Sequence, residues 1–95
     1  MSHPLGSLAD NLNAYAIYAT AQAEMRRAYS LIDAGRYAEA AAEIESAARA
    51  AETLAAFSAS AAPDRTAHWQ RVAAARRQFA GRARERDDEP HLVAA

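Results

Sequence analysis

An all-α fold, a small antiparallel three-helix bundle, is what the sequence predicts, and three observations predict it. Ala dominates the 95 residues, and Ala is the best helix former because its side chain loses no rotamer entropy. Gly and Pro number only three each and cluster mostly where elements are expected to end. β-branched residues are scarce and nowhere alternate with polar ones, as a half-buried strand requires. The expected helices cover about residues 7–34, 37–58 and 64–86, with 1–6 as a disordered lead and 87–95 as an acidic, flexible tail.

The first helix is expected to start at Ser7, a good N-cap, with Asp10 three residues on in the manner of a capping box. Nothing then breaks the helical pattern until Gly35, which suits a left-handed C-terminal position. Its apolar stripe is not straight. Leu8, Leu12, Tyr15 and Ala19 share one face, whereas Tyr18, Ala21, Met25, Ala28, Tyr29 and Ile32 share another, rotated by roughly a quarter to a third of a turn. Either the helix kinks near residues 15–20 or carries one wide stripe, or its two halves meet different partners, a second chain among them.

In the second helix Tyr37, Ala40, Ile44, Ala47, Ala48, Ala51, Leu54 and Ala55 fall on one face. Glu39, Glu43, Glu45 and Glu52 fall largely on the other. Ser58 to Pro63 reads as a Ser/Ala linker, and Pro63-Asp64 opens the third helix with Asp64 or Thr66 as its cap. Trp69, Val72, Phe79 and Ala83 form the apolar stripe of that helix, which should fade near Glu85. Gly81 weakens it by roughly 1 kcal/mol relative to Ala. Connections this short make neighbouring helices antiparallel.

Composition narrows the chemistry. The chain has no Cys, which excludes disulfides, thiolate metal sites and cysteine nucleophiles. The formal net charge of −1 implies neither nucleic acid nor an anionic membrane as a bulk partner. All eleven basic residues are Arg, which with so much Ala suggests a GC-rich bacterial genome. No apolar run is long enough to span a membrane, and Met1 to Leu5 lacks the basic and apolar regions of a signal peptide, so a cytoplasmic protein is expected. Each buried Ala removes little area from water, so the core is weak residue for residue and help from a partner chain is expected.

Ala34-Gly35-Arg36-Tyr37-Ala38-Glu39-Ala40, with Ala47 seven residues further on, resembles the turn and second helix of a tetratricopeptide repeat. That resemblance implies a Tyr wedged between two helices that cross closely at Ala, although only one such unit is present. The same Gly-x-Tyr-x-Glu-Ala hairpin, with Phe79 and Arg82-Ala83 in the third helix, is similar to microtubule-interacting-and-trafficking domains over about residues 22–86. That family is built as three-helix bundles, and the resemblance implies a groove between helices that binds a helical peptide. The Gly-Arg-Tyr turn also resembles HEPN domains, many of them ribonucleases with an Arg-x(4–6)-His motif. Arg86 to His91 has that spacing, but here Pro90 precedes His91 in an acidic tail rather than on a helix.

The third helix is basic through Arg65, Arg71, Arg76, Arg77, Arg82, Arg84 and Arg86, and the second is acidic. The plain reading is that the two complement each other, or that both charge sets are solvated. The functional reading is phosphate binding, with Arg71, Arg77, Arg82 and Arg84 as its candidates. Arg76 falls on the apolar stripe, where its stem can lie along the core and its head can stack on Trp69 or pair with a carboxylate. Tyr15 and Tyr18, if exposed, mark a binding face. His3, His68 and His91 share no ligand spacing, so no metal or other cofactor is expected, and His68 with Asp64 at i, i+4 suits a surface hydrogen bond. The ending Leu92-Val93-Ala94-Ala95 resembles apolar C-termini read by bacterial degradation machinery.

No nucleophile stands beside a base, so the chain is read as no enzyme. It is read instead as a protein–protein interaction module, an adaptor or homodimer that accepts a partner helix or peptide through Tyr15, Tyr18, Trp69 and Arg76. The alternative is a small regulator or nucleic-acid accessory protein that uses the third-helix Arg residues.

Overall fold

The computed structural model describes residues 3–88, and among these the chain forms three α-helices and no strand. They run Leu12–Asp33 (α1), Tyr37–Ala61 (α2) and Thr66–Asp88 (α3), with short 3₁₀ turns at Gly6–Asp10 and Pro63–Arg65. Arg27 meets Glu43 and Glu24 meets Ser46, which sets α1 antiparallel to α2; Arg77 with Glu52 and Arg84 with Glu45 do the same for α2 and α3.

The start of α1 corrects the expectation at Ser7. Asn11 is the cap: its backbone is extended (φ −86°, ψ 114°) and its Oδ1 accepts from the Ala14 amide at 3.0 Å. An extended residue cannot carry a helix through, so Gly6–Asp10 closes as its own turn. Ser7 Oγ instead donates to the Ala61 carbonyl at 2.8 Å, tying this turn to the end of α2. Asn and Ser are near-equal caps. What selects Asn11 is burial, since breaking the chain there lets Leu5 (0% exposed) and Leu8 (4%) plug one end of the core. The expected disordered lead therefore supplies a core residue at Leu5.

The same break accounts for the diverging stripe. Leu8 belongs to the turn, so Leu8, Leu12, Tyr15 and Ala19 are not one helical face, and α1 is unbroken from Leu12 to Asp33. Leu12 is 86% exposed and Tyr15 44%, whereas Ala21, Met25 and Ala28 pack against Ala40, Ile44 and Ala47.

Gly35 (φ +75°) ends α1 as expected. Its amide donates to the Ile32 carbonyl at 2.9 Å and that of Arg36 to Leu31 at 2.8 Å, the paired bonds of a Schellman turn. The inner face of α2 is the expected one: Ala40, Ile44, Ala47, Ala48, Ala51 and Leu54 are fully buried, Ala55 nearly so, and Tyr37 half-buried. α2 runs on to Ala61, through most of the expected linker. Ser58 is buried without cost because its Oγ donates to the Leu54 carbonyl at 2.8 Å.

At the start of α3 neither expected cap acts through its side chain. Asp64 pairs with Arg65 at 3.6 Å, and Thr66 Oγ1 is buried without a hydrogen-bond partner among the described residues. α3 continues through Asp88, past the expected fade at Glu85, where Arg84 binds Glu45 and the Arg86 guanidinium lies 5.5 Å from the Tyr37 ring centre. The resemblance to tetratricopeptide repeats implied a Tyr37 wedged between α1 and α2. The ring is half-buried and carries this contact from α3. His91 and the ending Leu92 to Ala95 lie outside the described residues. No described helix is long and apolar enough to cross a membrane.

Candidate functional site

α2 packs closely against both neighbours, while the backbones of α1 and α3 stand apart and meet only through side chains, and a groove of about 470 Å³ runs between them. The reason lies in side-chain size. The buried face of α2 is mostly Ala, so α1 and α3 each sink onto it. Where α1 and α3 face each other, Gln22, Met25, Arg26 and Tyr29 oppose Val72, Ala75, Arg76 and Phe79, and the longer side chains hold the backbones apart. Within each wall these residues recur at three- and four-residue spacing, which is one helical face. Tyr18 against Trp69 (6.1 Å, edge-on) and Tyr29 against Phe79 (6.0 Å, tilted) bridge the groove near its two ends.

Arg76 is the polar centre of this groove. It lies on the inner side of α3, so its stem follows the core and its Nη1 donates to the Ala47 carbonyl in the middle of α2, at 2.9 Å. Burial pushes the guanidinium pKa below its ordinary value, and the Glu24 carboxylate, acting through space, only partly opposes this. Among the described residues it neither stacks on Trp69 nor meets a carboxylate within ion-pair range, although both were expected as options. Arg26, on the opposite wall, also makes no ion pair among the described residues, and no acidic side chain lines the groove.

The structure brings three of the four expected partner-binding residues into one aromatic cluster. Tyr15 and Tyr18 lie 5.9 Å apart, and Tyr18 stands edge-on to Trp69. Only Tyr15 is well exposed; Tyr18 is half-buried, and Gln22 Nε2 donates to its hydroxyl at 3.3 Å. Trp69, expected on the apolar stripe and also as a partner-binding residue, is 2% exposed: it is a core residue that supports Tyr18 from beneath, and its Nε1 is buried without a partner among the described residues.

His3 and His68, distant in sequence, adjoin the same cluster, at 5.0 Å from Tyr18 and 4.9 Å from Trp69. No group of metal-ligating side chains exists among the described residues. The expected His68–Asp64 bond is absent, because Asp64 turns to Arg65. The imidazole pKa of His68 is lowered, first by burial and then by Arg71 and Arg65.

The basic third helix divides. Arg77 and Arg84 are clasped through two bonds each by Glu52 (2.6 and 3.0 Å) and Glu45 (2.6 and 2.9 Å), as charge complementarity between the helices predicts. These bonds lower the pKa of both carboxylates. Arg71 and Arg82 are exposed and make no ion pair among the described residues. The four candidate phosphate ligands thus point to different surroundings and form no single cluster. Of the Arg86–His91 pair, only Arg86 is described.

Sequence reasoning missed Gln22, Met25, Arg26 and Phe79 as groove residues. The usable signal was the pairing of 22, 25/26 and 29 with 72, 75/76 and 79, two matching helical faces each carrying one Arg among apolar residues. Compared with protein-family models, with curated proteins and with solved structures, the chain finds no match in any of the three.

Proposed function

We propose that the chain is a cytoplasmic protein–protein interaction module whose α1–α3 groove receives an acidic, amphipathic helix from a partner. One observation carries this reading: Arg76 stands half-buried in an apolar groove and, among the described residues, meets no carboxylate within ion-pair range, Glu24 acting on it only through space. A desolvated cation without an acidic partner is costly. The other interhelical Arg residues, Arg27, Arg77 and Arg84, each have a Glu. A helix laid in the groove would place apolar residues on Met25, Val72 and Phe79 and one carboxylate on Arg76, the helix-in-groove mode of recognition. Arg and aromatic residues in such a setting are frequent binding hot spots.

The test is calorimetric titration with a designed helical peptide that carries Leu at i, i+3 and i+7 and a central Glu, alongside its Gln counterpart. The Glu peptide is expected to bind the intact chain at least about tenfold more tightly than the Gln peptide. In Arg76→Met that preference disappears. Equal affinity for both peptides in the intact chain, or no binding of either, counts against the reading. A nucleic-acid role has less support, because Arg77 and Arg84 are already paired with Glu52 and Glu45. Binding through phosphates would also weaken steeply with salt, and apolar groove binding would not.

A further inference from the structure

The groove continues beyond the part that holds Arg76. Past Phe79 it opens into a second hollow of about 280 Å³, with Ile32 of α1 on one side and Arg82, Ala83 and Arg86 of α3 on the other. The α1 wall of the whole trough is Gln22, Met25, Tyr29 and Ile32, at spacings of three, four and three. The α3 wall is Val72, Arg76, Phe79, Ala83 and Arg86, at four, three, four and three. This alternation is a period of about 3.5 residues, the seam that another helix follows in a left-handed bundle. From Val72 to Arg86 the wall is roughly 21 Å long at 1.5 Å per residue.

The three helices leave the place for one more. α2 packs closely against both neighbours while α1 and α3 stand apart, as three corners of a square do. A helix at the remaining corner touches α1 and α3 and completes a four-helix bundle. Tyr18 meets Trp69 and Tyr29 meets Phe79, so α1 and α3 run level and in the same direction.

Charge gives the fourth helix its chemistry and its direction. Arg26 and Arg76 stand level on opposite walls. Arg82 and Arg86 stand at the end where α1 and α3 finish, against one acidic side chain, Glu85. Arg26, Arg76 and Arg82 make no ion pair among the described residues. Acidic residues are most favourable in the first turn of a helix. A helix whose acidic first turn lies at Arg82 and Arg86 runs antiparallel to α1 and α3, so that its dipole opposes theirs.

Resting on the groove reading above, we propose that the partner is an acidic helix of about four turns that completes a four-helix bundle. It runs antiparallel to α1 and α3, with apolar residues at alternating three- and four-residue spacing and carboxylates in its first turn.

The probe is a designed helical peptide of about sixteen residues with this pattern, long enough to span the trough. It carries a nitroxide at either its first or its last residue, and paramagnetic broadening is read on the ¹⁵N-labelled full chain. The label at the start is expected to broaden amides of Ile32 and of Arg82 to Arg86. The label at the end is expected to broaden those of Tyr18 to Gln22 and Trp69 to Val72. Arg82 is exposed, so Arg82→Gln leaves the fold intact. It should weaken this peptide by about threefold, as the loss of an exposed pair does. The shorter peptide with one central Glu should bind that variant unchanged. The reversed broadening pattern, equal broadening of both ends by each label, or an affinity indifferent to Arg82→Gln overturns the proposal and leaves the groove reading standing. Broadening outside the trough, or no binding of either peptide, overturns both.

Discussion

The Arg76 guanidinium of α3 donates through Nη1 to the main-chain carbonyl of Ala47, in the middle of α2, at 2.9 Å. That oxygen also faces the amide four residues on within its own helix, so α3 is fastened to α2 at a position where no side chain could serve. The carbonyl can be reached because the residues one turn on, Ala50 and Ala51, are small: helical side chains lean toward the N-terminus, and larger ones there would cover it. Replacing Arg76 by Met keeps the stem and removes the charge, and should change stability by less than about 1 kcal/mol. Arg76→Ala removes the stem packing as well and should cost about 1–2 kcal/mol. Urea unfolding of the two variants separates the packing from the charge.

Leu5 lies outside every helix and is fully buried. Leu5→Ala should therefore cost about 2–4 kcal/mol, as a core truncation does. In a domain of this size that corresponds to a fall in Tm of more than about 8 °C. A Tm within a degree or two of the parent would mean that the leading turn does not seal the core.

The two candidate caps make opposite claims. Asn11→Ala should destabilise by about 1 kcal/mol, through the lost bond to the Ala14 amide. Ser7→Ala should cost less, since its bond to the Ala61 carbonyl is exposed to solvent. The reverse order would return the helix start to Ser7.

Gly35 and Gly81 separate strain from propensity. A Cβ at either position meets nothing within 4 Å, so crowding plays no part. Gly35 has φ +75°, and Gly35→Ala should destabilise by about 1–2 kcal/mol through left-handed strain alone. Gly81 lies inside α3 with ordinary helical backbone, so Gly81→Ala should stabilise by roughly 0.5–1 kcal/mol.

Stability should fall on acidification in two separate windows. The folded state lowers the His68 pKa, so the unfolded chain takes up that proton first. The contribution of His68 is complete above the ordinary imidazole value near about 6.5, and it is lost as pH falls from there through the depressed folded value. Glu45 and Glu52 are lowered chiefly by their hydrogen bonds from Arg84 and Arg77. Their contribution is complete above the ordinary carboxylate range and is lost as pH falls through the folded values. Urea midpoints followed from neutral to acid pH should show both steps, and His68→Gln should remove the upper one alone.

Much of the fold was legible because it rests on local rules. Gly35 announced its turn, and the Ala/Ile/Leu face of α2 was read almost residue by residue, since a central helix buries one continuous stripe. The Glu set of α2 and Arg77 and Arg84 of α3 announced their pairing through charge alone. The start of α1 was not legible, because Ser7 and Asn11 are near-equal caps and the choice depends on where Leu5 and Leu8 come to rest. Trp69 was read on the apolar stripe of α3 and is core there, but that Leu5 and Leu8 of the leading turn and Ala14 of α1 join α2 in covering it was not legible, since it depends on how separate elements meet. The groove was hidden for a similar reason. Its existence depends on Ala in α2 and on longer side chains in α1 and α3, a relation among three helices that no single periodicity contains.

The most direct test of the groove as a binding site is the map of backbone amide shifts on addition of the Glu-bearing helical peptide to the ¹⁵N-labelled chain. The account predicts changes concentrated at Gln22 to Tyr29 and Val72 to Phe79, with the Arg76 side-chain resonance moving among them. Changes centred on Arg71 and Arg82, or spread evenly over the outward faces, would contradict it.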